Sequence, residues 1–83
     1  MGKNKDIISE SKTVANMKQG QTAVISGFTD EFLSMKFLDM GLLPGTAIRF
    51  NYSAPFGDPI CVNASGMDLS IRLSEAKTIS IFD

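Results

Sequence analysis

With 83 residues, 43% of them hydrophobic and 20% charged, the chain has material for one core, and it lies far from the composition of disordered proteins. Its formal net charge of -1, from eight Lys and Arg against nine Asp and Glu, supplies no general attraction to a phosphate backbone. The absence of histidine and the single cysteine, Cys61, remove the commonest general base, the usual triad partner, the commonest transition-metal ligand and any internal disulfide together.

Residues 1–12 mix Lys3, Lys5 and Lys12 with Asp6 and Glu10 around one apolar pair, Ile7-Ile8, and read as a flexible N-terminal arm ahead of a domain over 13–83. The start MGKNKDIISESK has no hydrophobic signal core, and no apolar run reaches the roughly 18 residues of a membrane span, so a cytoplasmic protein without membrane insertion is expected. TVANMKQGQ predicts a helical turn ending at Gly20. Thr22 to Phe28 predicts a strand, with Gly27 at a bulge or a close approach.

TDEFLSMKFLDMG has helical spacing: Thr29 or Asp30 suits the N-cap and Gly41 the left-handed position after the last turn. Leu33, Phe37, Leu38 and Met40 fall on one arc of roughly 160° that faces a core. Phe32 and Met35 fall outside it beside Lys36 and Asp39. The stretch LDMGLLPG then reads as a structural joint, in which Met40 seals the core, Gly41 ends the helix, Leu42 packs back and Pro44-Gly45 turns the chain into the next strand.

The period now drops to two. Ile48, Phe50 and Tyr52 share one face of TAIRFNY. SAPFGDP makes a turn with Pro55, Phe56 and Asp58 near its tip. Ile60, Val62 and Ala64 alternate inward along ICVNA, Ser65-Gly66 makes a tight turn, and Met67, Leu69, Ile71 and Leu73 alternate along MDLSIRL. Ser74 to Lys77 is one helical turn, and Ile79 and Ile81 point inward along a last strand. The fold class is therefore mainly β: a small, strongly bent five-stranded barrel with one α-helix between strands 1 and 2 and short helical turns, because five short strands are too few for a sandwich.

The chemistry-bearing residues are scattered. Asp30-Glu31 is the one adjacent acidic pair, Cys61 has no second thiol, and the glycines at 41, 45, 57 and 66 each sit at a separate turn, so no catalytic residue, cofactor site, metal site or phosphate loop is expected. Arg49 and Arg72 lie on outward strand faces, where most arginines are solvated. What remains is a contact surface for another protein: Phe32 and Met35 with Lys36 and Asp39 as a polar rim, and Pro55, Phe56 and Asp58 on the hairpin. The bland alternatives are that Phe32 and Met35 cover a loop or the arm, and that Phe56 folds back as a plug. Self-association through Phe32 and Met35 would carry the same sequence signature.

The runs KFLDMGLLPGTAIRF, APFGDPI and GMDLSIRLSEAKTISI, in that order, resemble the ferrous iron transport protein A (FeoA) family over residues 13–83. The resemblance implies an SH3-like barrel without enzymatic activity, working in the cytoplasm beside FeoB, the ferrous-iron transporter with a cytosolic GTP-hydrolysing domain. Lys36 stands where the family usually has Arg, Phe37 where it has Leu, and Ile71 where a second Leu is usual; only the first changes chemistry, because Lys cannot make a bidentate contact. A related domain closes some metal-dependent repressors, so a nucleic-acid-binding or repressor-related module is the alternative. The charge balance and the lack of room for a DNA-binding half disfavour it, and no nucleic-acid partner is expected.

Overall fold

A computed structural model describes residues 12–82, so the expected arm, with Ile7 and Ile8, lies outside the described residues except for Lys12. A short 3-10 turn, Val14–Asn16, opens the domain. Asn16 Oδ1 accepts the Thr13 N–H at 2.9 Å, and Val14 is fully buried. Then come β1 (Thr22–Phe28), α1 (Glu31–Asp39), β2 (Ala47–Ser53), β3 (Ile60–Ala64), β4 (Met67–Ile71), α2 (Leu73–Ala76) and β5 (Ile79–Ile81). The five strands form one sheet in the order β4-β3-β2-β1-β5, and every neighbouring pair is antiparallel.

The sheet curls because β1 changes partner along its length. Thr22 to Val24 pair with β2, whereas Ile25 to Phe28 pair with β5, and a register shift between Ile25 and Gly27 separates the two halves. A bulge is a common way for a strand to bend in this manner. Nothing lies within 4 Å of where a Gly27 Cβ would sit, so the bulge, not a close approach, accounts for the glycine's surroundings. The edges β4 and β5 do not pair with each other, so the curl stops short of a hydrogen-bonded closure. Beside β5, the Ile81 N–H donates to the Lys12 carbonyl at 3.0 Å, and Thr13 bridges Ser80.

Ile48 and Phe50 are buried on β2 as their spacing predicts, but Tyr52 is 57% exposed. The cause is a second bulge between Phe50 and Tyr52, which inserts one extra residue and turns Tyr52 to the face opposite its expected one. On β3 the alternation holds throughout: Ile60, Val62 and Ala64 are buried, and Cys61 and Asn63 only partly so. Ser65 and Gly66 both have positive φ, 55° and 79°, the geometry of a two-residue type I′ hairpin. Along β4 only Ile71 is buried; Leu69 is half-buried and Met67 is 54% exposed, because Met67 flanks the hairpin tip on an edge strand. Ile79 and Ile81 are both buried on β5.

Helix α1 begins where Asp30 Oδ1 accepts the Leu33 N–H at 2.9 Å. Of its apolar arc, Phe37 is fully buried, Leu33 and Met40 pack partly buried against the core, and Leu38 stays 43% exposed. The buried stripe is thus narrower than the arc suggested, centred on Phe37, whose ring stacks on Phe28 with centroids 5.7 Å apart. The helix ends in a Schellman motif: the Gly41 N–H donates to the Leu38 carbonyl at 3.0 Å and the Leu42 N–H to the Phe37 carbonyl at 2.9 Å. The apolar pair that accompanies such a motif is Phe37 with Leu42, both fully buried.

Gly41 has φ +90° with open space around its missing Cβ. Gly41→Ala should therefore cost only the backbone strain of a left-handed residue, about 1–2 kcal/mol, read as a lower urea midpoint at unchanged m-value. Just beyond it, the Thr46 N–H returns to the Leu43 carbonyl at 3.0 Å, with Pro44 at the second turn position and Gly45 at the third with φ +92°. Those two positions favour Pro and Gly in a type II turn. Gly45 then donates to the Ile25 carbonyl at 2.7 Å, placing the joint against β1.

Candidate docking surface

Three segments far apart in sequence meet on one side of the sheet: the middle of α1, the β2–β3 hairpin, and the β4–α2 junction. They enclose an open cleft of about 400 Å³ lined by Lys36, Asp58, Pro59, Ser70, Arg72 and Glu75. Two of the side chains expected to contact a partner, Lys36 and Asp58, are therefore brought together. Both are also engaged within the protein. The Lys36 ammonium pairs with Glu75 Oε2 at 2.6 Å, and Asp58 Oδ1 accepts the first N–H of α2, that of Leu73, at 2.9 Å. Lys36, of the expected polar rim, and Asp58, of the expected hairpin contact, thus tie α1 and the hairpin to α2.

Glu75 is the hub of these ties. Its second oxygen, Oε1, accepts the Arg72 N–H at 3.1 Å, and its side chain is only 13% exposed. The hydrogen bond from Lys36 holds the Glu75 carboxyl below its ordinary value of 4.5; burial opposes this, and the Arg72 backbone N–H assists it. A carboxyl whose folded-state pKa is depressed adds stability above its unfolded pKa, and loses that contribution as the pH falls through the folded value. Thermal melts on a descending pH series should therefore show the melting temperature of the native protein converging on that of Glu75→Gln below about pH 4.5. A gap that stayed constant down to pH 2 would show that the ion pair adds nothing.

The apolar members of the expected surface stand clear. Phe32 is 84% exposed, Met35 66% and Phe56 99%, so Phe56 is no plug. Pro55 and Asp39 are exposed as well, and neither lines the cleft. Phe32 lies one helical turn before Lys36, and Phe56 two residues before Asp58, so the two rings flank the segments that wall the cleft. Ser70, Arg72 and Glu75 were not singled out as site residues from the sequence. The Arg72-to-Glu75 spacing at a helix start is the signal that marks Glu75 as a side chain reaching back; its partnership with Lys36, 39 residues away, has no local signal.

Cys61 is a half-buried free thiol in register with Tyr52 and Ser70 on the outer sheet face. Among the described residues, no three of His, Cys, Asp and Glu come together as metal ligands would, and no helix is long and apolar enough to cross a membrane.

The FeoA domain model matches residues 12–81. The chain belongs to the FeoA family. That family is one of ferrous iron transport. FeoA from Chlorobium tepidum is 31% identical and superposes with a TM-score of 0.78, over 84% of this chain and 68% of that one. The FeoA-like protein of Clostridium acetobutylicum is 30% identical with a TM-score of 0.81, over 90% and 88% of the two chains. The zinc-complexed FeoA of Stenotrophomonas maltophilia, described as a prokaryotic SH3 domain protein, shares 21% identity and the fold, with a TM-score of 0.77 over 87% and 91%. No curated protein matches the chain. The bent five-stranded sheet with its inserted helix is thus the SH3-like architecture that the FeoA resemblance implied.

Proposed function

We propose that this FeoA-family protein is a cytoplasmic, non-catalytic accessory factor of ferrous iron uptake, and that it acts by docking on the cytosolic portion of a FeoB-type transporter. The observation that carries the reading is the exposure of Phe32, Met35 and Phe56, at 84%, 66% and 99%, on α1 and the β2–β3 hairpin. Large apolar side chains left in water at the ends of well-fixed elements are the anchors from which protein interfaces are built. Asp39 and Pro55 form the rim. Lys36 and Asp58 act from below, by tying the anchoring helix and hairpin to α2. The joint of Met40, Gly41, Leu42, Pro44 and Gly45 serves the same end, fixing the direction in which α1 leaves the sheet.

The test is the double substitution Phe32→Ser with Met35→Ser. The variant should keep the native fold, because neither side chain is buried, yet lose most of its support of iron uptake in cells. In an amide-resolved NMR titration with the transporter's GTP-hydrolysing domain, the native protein should show shifts at residues 32–36 and 55–58, and the variant should not. Unchanged uptake by the folded variant would rule out this surface. Shifts at the same residues that track the protein's own concentration, with no partner added, would assign the surface to self-association instead.

A further inference from the structure

The two edges of the sheet are treated differently. Along β5, the Ile81 N–H donates to the Lys12 carbonyl and Thr13 bridges Ser80, so that edge is covered from within the chain. Nothing among the described residues pairs with the outer side of β4. The turn at Ser65-Gly66 fixes which backbone groups are left there. A two-residue turn makes its flanking residues, Ala64 and Met67, a hydrogen-bonded pair, and the antiparallel ladder alternates from that point. Met67, Leu69 and Ile71 therefore turn their N–H and C=O groups to β3, and Asp68 and Ser70 turn theirs outward. Among the described residues, no backbone hydrogen bond outside the ladder involves Asp68 or Ser70.

Exposed edges commonly carry a lysine, a proline or a bulge that prevents further pairing. MDLSI has none of the three, and its register with β3 is unbroken. Its one charge is drawn off the edge: Asp68 Oδ1 accepts the side-chain amides of Asn63 at 2.9 Å and Asn51 at 3.3 Å, which lie on β3 and β2. The apolar face also stops unfinished at this edge, with Ile71 buried, Leu69 half-buried and Met67 54% exposed.

We propose that β4 pairs antiparallel with β4 of a second copy of this chain, about a two-fold axis through Leu69. The strand is self-complementary in that register. Asp68 of each copy lies opposite Ser70 of the other, so both outward N–H groups and both outward carbonyls of each strand are satisfied, and no carboxylate directly faces another. On the inner face Leu69 meets Leu69 and the exposed Met67 meets Ile71. Moving the axis to Asp68 would set two carboxylates face to face. Moving it to Ser70 would set Asp68 against Arg72, whose N–H and C=O are already bonded at the start of α2. A contact between two five-residue strands belongs to the small, transient class of interface, so it forms at high protein concentration. It uses a surface apart from Phe32, Met35 and Phe56 and does not depend on the docking reading.

The test is amide exchange of the full chain, followed by NMR while the protein concentration is raised about a hundredfold. Exchange of the Asp68 and Ser70 amides should slow by about tenfold or more, while the Met67, Leu69 and Ile71 amides, bonded to β3, stay protected throughout. Leu69→Cys in a Cys61→Ser background should form an intermolecular disulfide under mild oxidation, because a non-hydrogen-bonded antiparallel pair has its Cα atoms about 4.5 Å apart. Met67→Cys in the same background should not, because its counterpart is Ile71. Ser70→Pro removes an outward N–H without touching the ladder to β3, and should abolish the concentration dependence. Asp68 and Ser70 amides that exchange fast at every concentration would overturn the proposal. Protection independent of concentration would overturn it too, assigning the edge to a cover from within the chain. So would equal cross-linking of the two cysteine variants, or concentration-dependent shifts at 32–36 with none at 67–71, which would place self-association on α1.

Discussion

Phe37→Ala should lower the free energy of unfolding by about 3–5 kcal/mol, whereas Phe32→Ala, five residues earlier on the same helix, should change it by less than about 0.5 kcal/mol. The two side chains are chemically identical, so the difference isolates burial. Phe37 is fully buried and stacked on Phe28, and its removal leaves a cavity between α1 and the sheet that surrounding side chains fill only in part. Phe32 is 84% exposed and has little contact to lose. A chain of this size has a total stability of about 4–12 kcal/mol, so Phe37→Ala removes a large fraction of it and should leave a visible unfolded population at moderate temperature. Urea denaturation of both variants decides the matter. Similar midpoints for the two would mean that the helix does not face the sheet through Phe37.

The parts of this fold that could be read from sequence are those fixed by local geometry. The inward alternation of β3, the cap at Asp30, the Ser65-Gly66 hairpin and the helix stop at Gly41 each depend on residues within a few positions of one another. The misplaced residues have causes elsewhere in the chain. Tyr52 was assigned inward because strict alternation carries it there, but the bulge before it answers to the bend of the whole sheet. Leu38 was assigned to the core by the width of an arc, whereas the sheet beneath α1 accepts a narrower stripe.

The candidate site divides in the same way. The exposure of Phe32 and Met35 was legible because both lie off the helix's periodic apolar face; that of Phe56 was not, because a turn has no such face and the sequence left folding back open. The polar geometry was not legible. Lys36 meets Glu75 across 39 residues and Asp58 meets the Leu73 N–H across 15, so no spacing rule links either pair. A rim lysine and a hairpin aspartate that look like partner contacts in one dimension become internal ties in three. The cleft, with Arg72 and Ser70 in its wall, exists only because the hairpin and α2 fold against the same side of α1.

Leu42→Ala should cost about 3–5 kcal/mol and Leu43→Ala well under about 1 kcal/mol, although the two leucines are adjacent in LDMGLLPG. Leu42 is fully buried, and its N–H closes the Schellman motif on the Phe37 carbonyl; Leu43 is 50% exposed at the start of the turn. Leu42 and Phe37 are the apolar pair of one motif, so truncating both should cost less than the sum of the single changes, by at least about 0.5 kcal/mol. Strict additivity would mean that the two side chains pack against separate parts of the core. The same pair sets the angle at which α1 leaves the sheet, and with it the position of Phe32 and Met35. On the docking reading, then, Leu42→Ala studied well below its melting temperature should also bind the partner domain more weakly, although it changes nothing on the exposed face, while Leu43→Ala binds as the native protein does. A Leu42→Ala protein that is destabilised yet binds with native affinity would separate the two roles, leaving the joint as a source of stability and the anchoring surface as tolerant of the helix's exact direction.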